Sequence, residues 1–174
     1  MGIKERYDCL RWVKYISHRL GEDTPILLAG CSMGASTIMM SAQLLPEQVK
    51  GLICDCGYSS VKGMIRAVAG KMHIPAGPAY FVLRLSARLF GAFDPESCSA
   101  LSSLAKSRIP VLIIHGEDDR LVPCAMAREN YEASASDIKM LLTVPGAGHG
   151  LSFLADEKKY RETFQDFLKK IGLL

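Results

Sequence analysis

Residues 26–37 read ILLAGCSMGAST, an apolar run followed by small residues on both sides of a serine. The apolar run is typical of a buried strand, and the residues after Ser32 favour a helix. The chain then has to turn within about two residues, so the backbones of Gly30 and Gly34 come close together and both positions are expected to require small residues. We expect Ser32, at the apex, to adopt a positive φ, which a non-glycine residue tolerates only under strain.

The pattern around this serine is Gly-x-Ser-x-Gly, placed between a strand and a helix. It resembles the nucleophile elbow of the α/β-hydrolase family. The resemblance implies that Ser32 is a nucleophile and that the amide of Met33 contributes to an oxyanion hole. A serine that caps a helix in an ordinary strand–helix turn is the other interpretation of the same residues.

Apolar runs and amphipathic segments alternate along the rest of the chain. With 174 residues, 49% of them apolar, a single domain is expected. The alternation predicts an α/β fold, with a parallel sheet of about four strands and helices on both faces. The predicted strands are 26–29, 49–55, 109–116 and 138–144, and the predicted helices are 5–20, 36–45, 95–105, 123–133 and 156–171.

Residues 61–93 interrupt this alternation and differ in charge from their surroundings. They hold five basic residues and no acidic one, whereas the remainder of the chain has 16 basic and 18 acidic residues. A helical lid over the active site is one interpretation, because hydrolases often insert a lid at this point. An ordinary crossover helix with a basic outer face is the alternative.

Three candidate catalytic groups follow predicted strands. Ser32 follows the first, Asp119 lies in the turn after the third, and His149 lies in a glycine-rich loop after the fourth. In a parallel sheet the carboxyl ends of the strands share one edge, where ligands bind. A serine hydroxyl needs a base, and a histidine needs a carboxylate to fix its tautomer. The order Ser, acid, His is that of the α/β-hydrolases.

The identity of the acid depends on the resemblance. Residues 115–123 read His-Gly-x-x-Asp-x-x-Val-Pro, which resembles the family's acid turn and implies Asp119. Asp118 is the nearest alternative, and Asp55, at the end of the second strand, is a more distant one. We interpret His115 as a structural histidine at a strand end.

The resemblance extends along nearly the whole chain and looks closest to the bacterial esterase and prolyl-oligopeptidase-like branches. It implies that the four strands are the fifth to eighth of the family fold. The loop that supplies the second oxyanion amide would then precede Met1, so we expect a truncated fold. The alternative to an active enzyme is a weakly active or inactive hydrolase fragment that oligomerises.

The resemblance implies a serine hydrolase that cleaves esters of small to medium acyl chains, with thioesterase or serine peptidase activity as alternatives within the class and no cofactor or metal. The net charge of +3, with mixed signs, argues against nucleic acid as a partner. No apolar run suits a membrane or a secretory signal, so a cytoplasmic protein is expected. Its six cysteines are expected to be buried and reduced.

An exposed edge on the strand 26–29 predicts self-association. The strand is apolar, contains no proline and carries no charge. In the full family fold another strand would lie beside it. We therefore expect a homodimer or a higher oligomer whose interface includes residues 5–30.

Overall fold

Four parallel strands form one sheet in the order β1-β2-β3-β4 in the computed structural model, which describes all residues from 1 to 174. The strands are β1 (Ile26–Cys31), β2 (Val49–Asp55), β3 (Val111–Gly116) and β4 (Lys139–Val144). Each strand pairs in parallel with the next one along the chain. The predicted α/β class and the number of strands are confirmed.

Eight α-helices surround this sheet. They are α1 (Glu5–Leu20), α2 (Met33–Ser41), α3 (Val61–Lys71), α4 (Ala76–Leu89), α5 (Ala100–Leu104), α6 (Ala125–Ala133), α7 (Ser152–Ala155) and α8 (Glu157–Lys170). A 3-10 turn at Ala42–Leu44 extends α2. No helix of the chain combines the length and the apolar character needed to cross a bilayer.

The core has two halves because successive side chains of a strand point to opposite faces of the sheet. On β3, Val111 and Ile113 pack with side chains of α1, α2, α5 and α6. The intervening Leu112 and Ile114 pack with Phe167 of α8 on the other face. All four of these β3 residues are buried. Helices therefore cover both faces, as predicted.

One predicted helix is shorter than expected. The structure has no helix over Pro95–Ser99, and α5 begins only at Ala100. The carboxylate of Asp94 accepts the Glu96 N–H, and the Asp94 carbonyl accepts the Ser97 hydroxyl, which fixes a turn there. Ser99 then caps α5 through a capping box with Ser102. The short helix α7 was not predicted.

Residues 61–93 form the helix pair α3 and α4, which pack mainly on each other. The crossover from β2 to β3 that packs against α2 and α6 is instead the short helix α5. This arrangement fits an added helical pair better than a simple crossover helix. Its function as a lid stays a prediction.

Strand β1 lies at an edge of the sheet and pairs only with β2. Ala29 and Cys31, near its carboxyl end, are exposed. The expected oligomer that would use this edge stays a prediction.

Candidate active site

The turn after β1 holds Ser32 in an unusual backbone conformation. Its φ is 53° and its ψ is −117°, and its N–H donates to the carbonyl of Asp55 at 2.8 Å. A Cβ atom added to Gly30 would lie 2.6 Å from the carbonyl carbon of Gly34. Position 30 therefore requires a residue without a Cβ atom, in agreement with the expectation that it must be small. At Gly34 the expectation was wrong, because a Cβ there would meet nothing within 4 Å.

His149 connects this turn to Asp119. Its Nε2 lies 2.8 Å from Ser32 Oγ, and its Nδ1 lies 2.7 Å from Asp119 Oδ2. Both contacts are satisfied when Nδ1–H donates to the carboxylate and Nε2 accepts the serine proton. The structure thus brings together the three side chains that the sequence suggested as catalytic.

The carboxylate of Asp119 is fully buried and its orientation is fixed from two sides. Oδ1 accepts the backbone N–H groups of Leu121 and Val122 at 2.7 and 2.9 Å. Oδ2, which contacts His149, also lies 3.1 Å from Nε2 of His115. Because that nitrogen lies 2.9 Å from the Val122 carbonyl, which can only accept, it carries the proton.

Neither of the other acid candidates forms a hydrogen bond or an ion pair with His149, whose carboxylate partner is Asp119. Asp118 is exposed. Asp55 accepts the hydroxyl of Ser152 at 3.3 Å in a buried position. Burial raises the pKa of the Asp55 carboxyl, an effect that Ser152, His115 and the nearby His149 partly offset. The geometry therefore favours Asp119 as the partner of His149.

Backbone contacts hold the loop of the acid against the loop of His149. The N–H groups of Glu117 and Asp118 donate to the carbonyls of Val144 and Ala147 at 2.9 and 3.0 Å. A Cβ on Gly116 would lie 2.3 Å from the Ala147 carbonyl oxygen. The glycine of the His-Gly pair is needed for this close approach.

Two cysteines lie beside the three side chains. Cys31 Sγ lies 3.4 Å from Cys56 Sγ, and Cys56 Sγ lies 3.9 Å from Nε2 of His149. The expectation that the cysteines are buried holds for Cys54, Cys56 and Cys98, holds only in part for the half-buried Cys9 and Cys124, and was wrong for Cys31, which is exposed. Cys31 is exposed because it lies at the end of the edge strand β1.

A cavity of about 280 Å³ opens beside Ser32. Apart from this serine, it is lined by Met1, Met33, Tyr58, Val61, Met64, Ile65 and Val68. No carboxylate and no basic side chain lines it. Helix α3 supplies half of the lining, so the charged segment 61–93 contributes apolar side chains to the site.

Sequence reasoning missed two features of this site. The short distance between His115 and Asp119 had a signal, since a histidine four residues before the acid is part of the motif. The contact between Cys31 and Cys56 follows from the register, in which Cys31 lies opposite Asp55. The charge pattern of residues 61–93 suggested a segment over the site but did not indicate which side chains would line it. No group of three or more His, Cys, Asp or Glu side chains is placed to hold a metal ion.

The chain matches the family model described as serine aminopeptidase, S33, over residues 83–156. The matched segment contains Asp119 and His149, whereas Ser32 lies outside it.

Similar proteins extend the match over the rest of the chain. The uncharacterized protein YqkD of Bacillus subtilis is 25% identical over 173 residues, which cover 98% of this chain and 56% of that protein. The structure of the Pyrococcus furiosus esterase Pf2001 superposes with a TM-score of 0.71 at 22% identity, over 98% of this chain and 62% of the esterase. A puromycin-hydrolyzing peptidase of Mycobacterium tuberculosis superposes with a TM-score of 0.73 at 18% identity, over 99% of this chain and 26% of the peptidase.

The two solved structures share the fold, although one is named an esterase and the other a peptidase. At such identities the structural likeness establishes the fold alone. The chain spans about half the length of the curated relatives it matches.

Proposed function

We propose, from the premise that this chain is a member of the α/β-hydrolase superfamily by its fold, that it is a serine hydrolase that cleaves carboxylic esters. The observation that carries the proposal is the continuous chain of hydrogen bonds from Ser32 through His149 to Asp119. In this proposal Ser32 is the nucleophile, His149 the base and then the acid, and Asp119 the group that orients the imidazole.

The proposed reaction has two halves. Ser32 Oγ bonds to the ester carbonyl carbon while His149 Nε2 takes its proton, and His149 then gives that proton to the departing alkoxide. Water then attacks the carbonyl carbon of the acyl-enzyme while His149 takes a proton from the water. His149 gives this proton to Ser32 Oγ as the bond to the acyl group breaks, which releases the carboxylic acid and restores the free serine. The N–H groups of Leu121, Val122 and His149 donate to the Asp119 carboxylate and hold it in a single orientation throughout.

Negative charge develops on the ester carbonyl oxygen in the transition state and needs a hydrogen-bond donor. The backbone N–H of Met33 is the candidate donor. Met33 begins α2, where backbone N–H groups have no acceptor within the helix. A second donor in an oxyanion hole is typically worth ~3 kcal/mol of transition-state stabilisation. Turnover by this chain therefore depends strongly on how many donors its site presents.

The cavity beside Ser32 favours an apolar acyl group of small to medium size. Its lining of Met33, Tyr58, Val61 and Met64 offers contacts to methylene groups and no charge. An aminopeptidase would need a carboxylate to hold the free amino group of its substrate, and the cavity lining has none. Ester substrates are favoured over aminoacyl peptides for that reason.

Helices α3 and α4 are proposed as a lid over this cavity. Val61, Met64, Ile65 and Val68 of α3 line it, and the helix pair packs mainly on itself rather than on the sheet. Movement of the pair would widen or close the acyl site without disturbing the strands that hold the three polar side chains.

A fluorophosphonate probe tests the nucleophile directly, because it forms an adduct only with an activated serine. We expect the adduct on the peptide that contains Ser32 and no labelling of Ser32→Ala. Hydrolysis of p-nitrophenyl acetate, butyrate and octanoate should fall at least about a thousandfold in that variant. Aminoacyl p-nitroanilides should be poor substrates for the unmodified protein.

Ser86→Ala is the matched control, since Ser86 is an exposed serine on α4. It should label and hydrolyse like the unmodified protein. Equal labelling of Ser32→Ala and the unmodified protein would refute the assignment of the nucleophile. Absence of any adduct, under conditions that label a control esterase, would favour an inactive hydrolase fold.

A further inference from the structure

The thiols of Cys31 and Cys56 form a close pair at the carboxyl edge of the sheet. Their sulfur atoms lie 3.4 Å apart at the ends of adjacent strands. Cys31 lies opposite Asp55 in the register of β1 and β2, so Cys56 is one residue further along. Cys56 itself lies just beyond β2 and has a φ of 48°. Sulfur atoms at this separation need to move only about 1.4 Å to reach the S–S bond length of about 2.05 Å.

The two cysteines differ in their access to solvent. Cys31 is exposed, whereas Cys56 is 0% exposed. Burial raises the pKa of the Cys56 thiol, and the neighbouring Cys31 raises it further. A dissolved oxidant therefore meets Cys31 first, and Cys56 is in position to react second.

We propose that Cys31 and Cys56 are a peroxide-oxidisable thiol pair, which closes to a disulfide and switches the adjacent hydrolase site off. The formation of the disulfide stands on the geometry of the thiols alone. Its effect on activity rests on the proposed function of Ser32 and His149.

The chemistry balances with hydrogen peroxide as the oxidant. The Cys31 thiol takes one oxygen from the peroxide, giving a sulfenic acid and one water. Cys56 Sγ then attacks the Cys31 sulfur, forming the S–S bond and expelling hydroxide. His149 Nε2, 3.9 Å from Cys56 Sγ, takes the thiol proton and passes it to the hydroxide, which leaves as a second water. The two sulfurs lose two electrons in total, and the peroxide gains them.

Closure of the disulfide would disturb the site because Cys31 directly precedes Ser32. The sulfur atoms must approach from 3.4 Å to about 2.05 Å. Part of that movement falls on the turn that holds Ser32 at a φ of 53°. The near-attack geometry between Ser32 Oγ and His149 Nε2 is sensitive to displacements of about 1 Å, which cost on the order of a hundredfold in rate.

Peptide mapping after peroxide treatment tests the pairing. We expect the intact mass to fall by two hydrogen atoms and a cross-link to join the peptides of Cys31 and Cys56. Dithiothreitol should remove the cross-link. Cys31→Ser and Cys56→Ser should not form it, whereas Cys124→Ser, which changes another partly exposed cysteine, should form it normally.

Fluorophosphonate labelling of the same samples tests the switch, with each variant compared with its own untreated sample. The cross-linked protein should label at least ten times more slowly, and reduction should restore the rate. Peroxide at a dose that oxidises Cys31 without producing the cross-link would overturn the pairing. Full labelling of the cross-linked protein would overturn the switch. Failure of the reduced protein to label would overturn the proposed function and the switch together, while the peptide map would still decide the disulfide.

Discussion

The carboxyl edge of the sheet and the helix pair α3–α4 both border Ser32, yet they are stabilised differently. At the edge, the carboxylate of Asp119 is fully buried and held by backbone and imidazole N–H groups. In the helix pair, Phe81 and Phe90 are 67% and 89% exposed. The first region is fixed by burial, and the second leaves much of its apolar surface in water.

Ion pairs connect both helices of the pair to the turn that contains Asp94 and Glu96. Arg84 donates two hydrogen bonds to the carboxylate of Asp94, and Arg88 contacts the same carboxylate. Lys62 of α3 pairs with Glu96 at 3.0 Å. Such exposed pairs are weak and sensitive to salt. The contrast is the one that the proposed lid requires, with an adjustable helix pair above a rigid frame of polar side chains.

Asp119→Asn should have the largest effect on activity. The amide keeps the size of the side chain, but its NH₂ group faces His149 Nδ1 and favours the wrong tautomer. We expect kcat to fall about 10³–10⁴-fold with little change in the circular dichroism spectrum. Steady-state hydrolysis of p-nitrophenyl butyrate measures the fall.

Asp118→Asn is the matched control for this prediction, because it changes an exposed neighbour in the same turn. Its kcat should stay within about twofold of the unmodified protein. A large loss in Asp118→Asn, with activity preserved in Asp119→Asn, would reassign the acid.

Gly30→Ala should have the next largest effect, on stability. Its new Cβ would lie 2.6 Å from the Gly34 carbonyl carbon and must displace backbone. We expect the free energy of unfolding to fall by about 2–4 kcal/mol, measured by urea denaturation.

Gly34→Ala adds the same atom where nothing lies within 4 Å, in the first turn of α2. Unfolding free energy should change by no more than about 1 kcal/mol, and helix propensity favours an increase. Equal losses in the two variants would show that the tight contact at Gly30 does not limit the turn.

The sequence predicted β1 and β3 well because Ile26–Ala29 and Val111–Ile114 are continuous apolar runs, which are typical of buried strands. It also suggested Ser32, Asp119 and His149, since each follows a strand and carries distinctive neighbours. It placed the start of the helix over 95–105 too early, because side-chain hydrogen bonds of Asp94 and Ser99 decide where that helix begins. Contacts such as that of Cys31 with Cys56 depend on strand register, which periodicity alone does not give.

Asp94→Asn should have the smallest effect and should be confined to α3 and α4. Loss of the pairs with Arg84 and Arg88 should make the amides of α4 exchange with solvent deuterium several-fold faster, while β3 is unchanged. The Arg84 guanidinium holds the pKa of Asp94 well below its usual range. The ionised Asp94 carboxylate therefore contributes its full stabilisation of the folded state above about pH 4. This contribution is lost as the pH falls further towards the pKa of Asp94 in the folded protein.

Hydrogen exchange of the unmodified protein should accordingly be constant in α4 from pH 7 to 5, after correction for intrinsic rates, and rise at lower pH. The increase in exchange rate at low pH should be smaller in Asp94→Asn, because Glu96 is then the only carboxylate of these ion pairs that still titrates. Its pKa is lowered by Lys62. Asp137→Asn, which removes an exposed pair with Arg108 elsewhere, should leave α4 exchange unchanged. A rise of equal size in all three proteins would exclude Asp94 as the anchor.

The hydrogen bond between Ser32 and His149 joins residues 117 positions apart. Every strand pairs with the next strand along the chain, so the sheet can grow by one strand at a time, with modest loop-closure entropy at each step. The bond itself requires both the first strand and the loop after the last strand to be in place. During refolding, helical and sheet structure should therefore return before the serine regains its reactivity, which makes that reactivity a measure of completed folding.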